Sequence, residues 1–293
     1  MTEQDWELLL GRIKDGKCTP FLGAGVDYGI FPLGGQIARE WANEKGFPLR
    51  SSDDLASVAQ FLAIKYKDAL YPKDKIIERL SRERQPDFSQ PDPALDCIKA
   101  LAELPIPVYL TTNYDDFMVR ALKHAGKEPQ AEICRWHSGL KQKQIPTVFN
   151  GGYLPNAANP VVFYLHGSAK YNNSLVLTED DYLDFLVNVS RNQKILPPRI
   201  QEALTTTSLL FIGYRLKDID FRVLYRGLVQ SMDGSQRRLS ITVQVRPPDD
   251  YIGDPQNAET FMNDYFGEMR VSVYWGTAGQ FAQELRDRWK AMP

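Results

Sequence analysis

Apolar residues along the chain follow two kinds of pattern, one typical of helices and one typical of buried strands. Near both ends of the chain, apolar side chains recur at the spacing of a helix face. The first of these stripes is Trp6, Leu9, Leu10 and Ile13, and the last is Phe281, Leu285 and Trp289. Short continuous apolar runs lie between them and predict strands that are buried on both faces. These runs are 19–23, 108–112, 161–165, 208–212, 239–245 and 271–275.

Strands that alternate with helical segments predict an α/β fold. We expect a Rossmann-like, doubly wound parallel sheet of about six strands with helices on both faces. The whole chain, residues 1–293, is predicted to form one such domain. Residues 49–93 show helical spacing and polar turns without a strand pattern, so we expect a helical insertion or lid there.

The composition is that of an ordinary folded protein. Hydrophobic residues make up 43% and charged residues 25% of the chain, which argues against disorder. The 35 Lys and Arg residues against 37 Asp and Glu give a net charge of −2, so no direct nucleic-acid partner is expected. The N-terminal segment is not a signal peptide and no apolar run is long enough to cross a bilayer, so we expect a cytoplasmic protein without membrane contact.

The three cysteines, Cys18, Cys97 and Cys134, are widely spaced, and the sequence contains no CxxC pair. This spacing supports neither a disulfide framework nor a structural zinc site. We therefore expect reduced thiols and no metal.

Ligands of open α/β sheets bind beyond the carboxyl ends of the strands, and four predicted strand ends carry unusual residues. The first is the glycine loop, which we define as Gly23, Ala24 and Gly25. Glycine lets backbone N–H groups approach a phosphate closely. The loop lacks the spacing of a dehydrogenase fingerprint, and a plain strand-to-helix turn is an equally good interpretation.

The second and third strand ends carry polar side chains. Thr112, Asn113 and Asp115 follow the strand at 108–112. One such side chain is enough to cap the following helix, so the group exceeds what capping requires. His166 follows the strand at 161–165 and precedes Gly167. A single histidine is more often structural, but one at a strand end is placed for acid–base chemistry.

The fourth strand end is Gly213, which follows the strand at 208–212 and precedes an acidic segment that contains Asp220. A glycine after a buried strand and a helix that opens with acids are typical of a turn facing a ligand. For this element alone, a capped helix is the simpler interpretation.

Taken in this order, the four elements resemble the sirtuin (silent information regulator) superfamily, and within it the sirtuin-like NAD-degrading domains of bacterial antiphage systems. The matching segments are 23–25, 111–115, 166–167, 178–182 and 210–221. The four-cysteine zinc ribbon of sirtuin deacylases is missing from the sequence, so the resemblance is to a zinc-free branch and protein deacylation is not expected. Asp27 stands where serine is common after the glycine loop.

The resemblance implies an NAD+ glycohydrolase (an NAD+ nucleosidase) that cleaves NAD+ to nicotinamide and ADP-ribose, without a metal, and depletes NAD in antiphage abortive defence. Asn113 and His166 would be the catalytic residues. The residues that would bind NAD are Gly23, Ala24, Gly25, Thr112, Asp115, Gly213 and Asp220.

Two alternatives to hydrolysis stay open on the sequence. The chain could be a non-catalytic sensor that binds NAD or a related nucleotide, or it could transfer or cyclise ADP-ribose. The resemblance also implies regulation from outside the chain, through a homo-oligomer and a partner such as a HerA-like ATPase.

Overall fold

The sheet contains seven strands within the residues that the computed structural model describes, which are 1–142, 145–192, 195–214, 238–245 and 255–292. The strands are β1 (Cys18–Leu22), β2 (Val108–Thr111), β3 (Gln130–Ile133), β4 (Val161–Tyr164), β5 (Ser208–Ile212), β6 (Ser240–Gln244) and β7 (Val271–Trp275). Their order is β3-β4-β2-β1-β5-β6-β7, and all neighbouring pairs are parallel. The predicted α/β fold is confirmed, with one strand more than the six that the apolar runs predict.

The strand that the sequence pattern misses is β3, which lies at the edge of the sheet and pairs with β4 alone. Gln130 and Ala131 are exposed, whereas Glu132 and Ile133 are buried. An edge strand with an exposed first half has no continuous apolar run, and that run was the signal used to predict the other strands.

One or more helices lie between most successive strands in the described parts of the chain. They are α1 (Glu3–Lys14), α2 (Gly34–Lys45), α3 (Leu55–Tyr66), α4 (Tyr71–Arg82), α5 (Asp96–Glu103), α6 (Phe117–His124), α7 (Ser138–Gln142), α8 (Glu179–Arg191), α9 (Pro198–Thr206), α10 (Pro255–Glu268) and α11 (Ala278–Lys290). In the described ranges, every helix is too short or too polar to cross a lipid bilayer.

Successive residues of a strand point to opposite faces of the sheet, and both faces are buried. In β4, Val162 and Tyr164 belong to an apolar cluster with α1, α5, α6 and α11. Val161 and Phe163 belong to a second cluster with α8, α9 and α10. A strand of this kind needs apolar residues at every position, which is why the runs are continuous rather than alternating.

Residues 49–93 contain α3 and α4, and these two helices lie against α2 and α8. Ala59 of α3 and Ile76 of α4 are buried in one small cluster with Ile37 of α2. The same cluster contains Leu175 and Leu177, which lie between β4 and α8. The two helices therefore pack over the segment that follows the end of β4.

The topology places β1 at the point where the order of the strands reverses. The strands β2, β4 and β3 lie on one side of β1, and β5, β6 and β7 lie on the other. In open α/β sheets, the carboxyl edge at such a switch point is where ligands bind. The glycine loop follows β1 and therefore lies at this edge.

Candidate functional site

Asn113 and His166 lie at the same level of the sheet. Their strands β2 and β4 are neighbours, and Thr111 pairs with Tyr164. Asn113 and His166 each follow that pair by two residues, beyond the carboxyl edge. Thr111 also pairs with Leu22 of β1, which directly precedes the glycine loop. The register thus brings three of the four predicted strand ends to adjacent positions.

The glycine loop is in direct backbone contact with the end of β5. The N–H groups of Gly23 and Gly25 donate to the carbonyl oxygens of Ile212 and Gly213, each at 2.9 Å. A Cβ on Gly25 would lie 2.9 Å from the Gly213 Cα, and one on Gly213 would lie 2.5 Å from the Gly23 carbonyl oxygen. Gly213 also has φ +85°, which disfavours other residues.

The ends of β1 and β5 pack so closely that Gly23, Gly25 and Gly213 have no room for a side chain. Because the N–H groups of Gly23 and Gly25 are used within the protein, the predicted binding of phosphate by this loop requires other donors. Ala24, between the two glycines, is exposed and stands at the start of a 3₁₀-helix, Ala24–Asp27.

Thr112 joins the ends of three adjacent strands. Its N–H donates to the carbonyl oxygen of Leu22 at 3.0 Å. Its hydroxyl lies 2.8 Å from the hydroxyl of Tyr214, which in turn donates to the same Leu22 oxygen at 2.9 Å. Tyr214 is buried and was not among the residues that the sequence pointed to. Thr112 therefore has a structural role, whether or not it also contacts a ligand.

The side-chain amide of Asn113 is held by the loop that follows β1. Its Nδ2 donates to the carbonyl oxygen of Gly23 at 3.2 Å and to Oδ2 of Asp27 at 2.6 Å. The backbone N–H of Asn113 donates to Oγ1 of Thr111 at 3.0 Å. Both hydrogens of the amide are thus used, while its Oδ1 accepts no hydrogen bond from any described residue. Asn113 is half-buried, so this oxygen is the group that remains for a ligand or water.

The carboxyls of Asp27 and Asp115 lie close enough beside Asn113 to influence each other's ionisation. Asp27 is only 4% exposed. Burial, followed by the charge of Asp115, raises the pKa of Asp27 well above its usual range. Burial also raises the pKa of Asp115, although that carboxyl accepts from the Phe117 N–H at 2.9 Å. Since the charge of one acid disfavours ionisation of the other, the two carboxyls titrate as a pair.

Of the two acids at the start of α6, Asp115 is the one that bonds to the helix N-terminus. Asp116 precedes the helix but makes no capping hydrogen bond, and its exposed carboxylate lies 3.7 Å from Arg120. The residue that the sequence reasoning did not use is Asp27. A carboxylate inside a glycine-rich turn was the signal that could have identified it.

His166 is buried against α8. Its imidazole is packed edge-on against the rings of Tyr182 and Phe185, with centroid distances of 5.3 and 5.1 Å. The residue is 3% exposed, and its imidazole makes no hydrogen bond within the described ranges. Burial lowers the pKa of His166 to about 3, so the imidazole is neutral at physiological pH.

The segment after His166 is tightly fixed. Gly167 has φ +81°, and a Cβ there would clash with the carbonyl oxygen of Ser174. The same oxygen accepts from Nε1 of Trp136 at 2.8 Å. The hydroxyl of Tyr114, next to Asn113, donates to the Val176 carbonyl oxygen at 2.6 Å. The ends of β2 and β4 are thereby connected through side chains as well as through the sheet.

The start of α8 is held by the helices of residues 49–93. Thr178 and Asp181 form a capping box at the N-terminus of α8. Asp181 also makes a buried ion pair with Lys73 of α4 at 2.7 Å, and the Lys73 ammonium lies 5.9 Å from the centre of the Trp136 ring. Gln60 of α3 donates to Asp180 at 2.8 Å. The helix that encloses His166 is therefore anchored from the side of α3 and α4.

Asp220, which the sequence analysis names as an NAD contact, lies outside the described residues. In the parts of the chain that are described, no three His, Cys, Asp or Glu side chains come together as a possible metal site. The three cysteines are buried and not paired with one another.

Comparison with known proteins identifies a family and a set of named relatives. The profile of the SIR2-like domain matches residues 107–269. The chain is 24% identical over 230 residues to the NAD(+) hydrolase ThsA of Acinetobacter baumannii (strain 532279), covering 74% of this chain and 41% of that protein. It is 27% identical over 216 residues to the NAD(+) hydrolase ThsA of Cytobacillus dafuensis, covering 73% and 38%.

A third relative gives the longest of these alignments. The chain is 24% identical over 260 residues to the NAD(+) hydrolase ThsA of Bacillus cereus (strain MSX-D12), covering 86% of this chain and 50% of that protein. The chain thus spans at most half the length of these curated relatives.

Proposed function

The chain belongs to the SIR2-like domain family, and from this premise we propose that it is an NAD+ glycohydrolase. In the reaction, water adds to C1′ of the nicotinamide ribose and the bond from C1′ to the ring nitrogen breaks. The electron pair of that bond neutralises the pyridinium nitrogen, and the water proton is released. The products are nicotinamide and ADP-ribose, and the step needs no oxidant or metal. The names of the relatives support NAD+ as the substrate.

The observation that carries the proposal is the fixed amide of Asn113 at the switch-point edge of the sheet. Because nicotinamide leaves as a neutral molecule, the enzyme has little need of an acid and must instead position water and stabilise a cationic sugar. A carbonyl oxygen held by the two contacts of the Asn113 amide suits that task, since it accepts a hydrogen bond from water or a ribose hydroxyl and attracts positive charge.

For His166 we propose contact with a ribose hydroxyl. A neutral imidazole can accept or donate a hydrogen bond, but one whose pKa is lowered to about 3 is a weak general base. The buried, neutral imidazole therefore favours a role in binding over the role as a base that the sequence analysis expects. For this contact to form, the rings of Tyr182 and Phe185 that cover His166 must open, either when the ligand binds or through a movement of Tyr182.

For the remaining NAD contacts, our proposal keeps the residues that the sequence analysis names. The glycine loop, Thr112, Asp115 and Gly213 lie together at the ends of β1, β2 and β5, where a dinucleotide would cross the sheet. Asp115, which lies beside Asp27, would accept from the carboxamide of nicotinamide. Asp220 is retained as a proposed contact on sequence grounds alone.

Release of nicotinamide from NAD+ by the purified protein tests the proposal. Asn113→Ala is expected to reduce the rate by about a hundredfold or more, in the range seen when one positioned polar group is removed from an active site. Asn43→Ala, at an exposed position of α2, is the matched control and should retain the rate of the wild type. Equal rates for wild type and Asn113→Ala would refute the assignment.

The enclosure of His166 favours a second candidate function, in which the domain binds NAD or a related nucleotide without cleaving it. Calorimetry followed by recovery of intact ligand would support this function and exclude the first. Mass spectrometry of the products also separates hydrolysis from the transfer or cyclisation of ADP-ribose.

We further propose that the protein acts in the cytoplasm as part of an antiphage system and assembles with copies of itself. Support for an assembly comes from Leu183 and Val187, which lie one turn apart on α8 and are 60% and 43% exposed. A HerA-like ATPase partner is supported by the sequence resemblance alone. Light scattering over a range of concentrations tests self-association, and a mass of 33.4 kDa throughout would exclude it.

A further inference from the structure

We propose that Asp27 is a positioning residue, which orients the side-chain amide of Asn113 so that its carbonyl oxygen faces the substrate. The inference rests on the proposed function, because it assigns the orientation of the residue placed at the centre of that reaction. The group that contacts Oδ1 of Asn113 is then a hydrogen-bond donor, either the attacking water or a hydroxyl of the ribose.

The orientation follows from the acceptors around the amide. A side-chain amide has two N–H donors and one carbonyl acceptor. The Gly23 carbonyl oxygen, which can only accept, lies 3.2 Å from Nδ2 of Asn113, and Oδ2 of Asp27 lies 2.6 Å from the same nitrogen. A flipped amide would place its oxygen against the Gly23 oxygen and lose both bonds. The two donors are thus directed inward, and only Oδ1 is available to the substrate.

Asp27 is suited to this task because of the partner behind it. Burial and the charge of Asp115 raise the pKa of Asp27, so the pair resists full ionisation. Oδ2 of Asp27 is the acceptor that holds the Asn113 N–H, at 2.6 Å. Asp115 is itself tied to the first turn of α6 through the Phe117 N–H.

Among the described residues, the other titratable groups that act on the pair do not supply a positive charge. They are Asp116 on the same loop, Cys97 of α5 and Tyr164 at the end of β4. With no cation in this described set, ionisation of both acids at alkaline pH would leave two like charges side by side, which would push Asp27 away from Asp115 and disturb Asn113.

The test compares Asp27→Ala, Asp27→Asn and the wild type. Asp27→Ala removes the acceptor and is expected to lower kcat by about tenfold or more while KM for NAD+ changes by less than about threefold. Asp27→Asn keeps an acceptor for Asn113 and a donor for Asp115, so it should recover most of that loss. Because an asparagine side chain does not ionise, Asp27→Asn should also remain active at alkaline pH, where the wild type declines. Asp264→Ala, exposed on α10, controls for loss of an aspartate.

A second measurement does not depend on activity. The side-chain amide signals of Asn113 are identified in a ¹H–¹⁵N spectrum by their loss in Asn113→Asp. They should shift in Asp27→Ala and stay close to the wild-type position in Asp27→Asn. Thermal unfolding shows whether each variant is folded.

The outcomes separate the two proposals. If the wild type does not cleave NAD+, the proposed function fails, and the amide signals still decide whether Asp27 orients Asn113. If the wild type is active, and folded Asp27→Ala keeps both its kcat and the Asn113 signals, the positioning role is overturned while the function stands. Equal losses in Asp27→Ala and Asp27→Asn would overturn it as well.

Discussion

Asn113 and Asp27 are joined by a hydrogen bond of 2.6 Å between Nδ2 and Oδ2, which connects the segments that follow two neighbouring strands. Asn113 follows β2, and Asp27 lies in the turn after β1. Since Asp27 is 4% exposed, the bond is shielded from water and contributes more than a surface contact would. It determines which atom of the amide can meet a ligand.

The first prediction concerns the effect of replacing the Asn113 amide with a carboxyl group. Asn113→Asp replaces the amide donors with a carboxyl that faces the Gly23 oxygen and two acids. We expect it to lower the free energy of unfolding by about 2 kcal/mol or more, and by more than Asn113→Ala, because it adds a third, half-buried acid beside Asp27 and Asp115 without a cation or donor supplied for it by the described residues. Urea denaturation measures both, with Asn43→Asp on exposed α2 as the control. An Asp variant more stable than the Ala variant would contradict the arrangement of donors described above.

The second prediction concerns the contact between the glycine loop and β5. In Gly213→Ala, the new methyl group would lie 2.5 Å from the Gly23 carbonyl oxygen at a φ of +85°. We expect a loss of about 2–4 kcal/mol in the free energy of unfolding, from the strained backbone and the clash together. Gly11→Ala, within α1 and without a neighbour inside 4 Å, should instead raise stability by about 0.5–1 kcal/mol. Equal stability of Gly213→Ala and wild type would mean that the two strand ends are farther apart than in this structure.

The third prediction is the dependence of stability on pH that buried His166 produces. Its pKa is lowered from 6.5 to about 3 in the folded protein, so below pH 6.5 the unfolded chain binds a proton that the folded protein does not. His166 therefore lowers the free energy of unfolding by about 1.4 kcal/mol for each unit that the pH falls below 6.5. His166→Phe should remove this dependence.

Urea denaturation of His166→Phe and the wild type at about pH 5 and about pH 7 isolates the effect of the imidazole. The quantity to compare is the difference in unfolding free energy between the two proteins at each pH. Asp27 and Asp115 have raised pKa values, so they reduce the free energy of unfolding as the pH rises, which is opposite to the effect of His166. The same substitution at exposed His124 controls for an added phenylalanine. Identical pH slopes for wild type and His166→Phe would show that the imidazole reaches water.

The fourth prediction tests the anchor between α4 and α8. Lys73→Met leaves the carboxylate of Asp181 buried without its cation, and we expect a loss of about 3 kcal/mol in the free energy of unfolding. Adding Asp181→Asn should restore part of the loss, since it removes the unpaired charge. Lys75→Met breaks an exposed ion pair with Glu78 and should change stability by less than about 1 kcal/mol. If the two lysine variants lose the same amount, the Lys73 pair is solvated and does not anchor α8.

The fold could be predicted to the extent that each strand carries its own signal. β1, β2 and β4 to β7 are mostly apolar because both faces of the sheet are covered, and their runs are visible in the sequence. β3 could not be found in this way, since its first half faces water and its buried Glu132 is a polar residue. Glu132 is satisfied by Arg135 at 2.6 Å and by the Val148 N–H at 2.9 Å, contacts that form only after folding.

The candidate site was predicted in part. Parallel strands bring their carboxyl ends to one edge, so the sequence predicted that Asn113 and the glycine loop share that edge, whereas the strand order that makes them neighbours came from the structure. The sequence did not reveal that the N–H groups of Gly23 and Gly25 bond to the end of β5, because the partner residues are far away along the chain. The roles of Asn113, His166 and the proposed NAD contacts stay predictions until the variants are measured.

The sequence by itself determined the alternation of helices and strands, the parallel sheet, and the edge at which polar residues gather, because these depend on local periodicity and on chain order. Only the tertiary structure decided which of those polar groups can reach a ligand. Asn113 keeps an open carbonyl oxygen because Asp27 and Gly23 accept from its two donors, whereas His166 is covered by Tyr182 and Phe185. Exposure is a property of what packs around a side chain, and the packing residues come from distant parts of the chain.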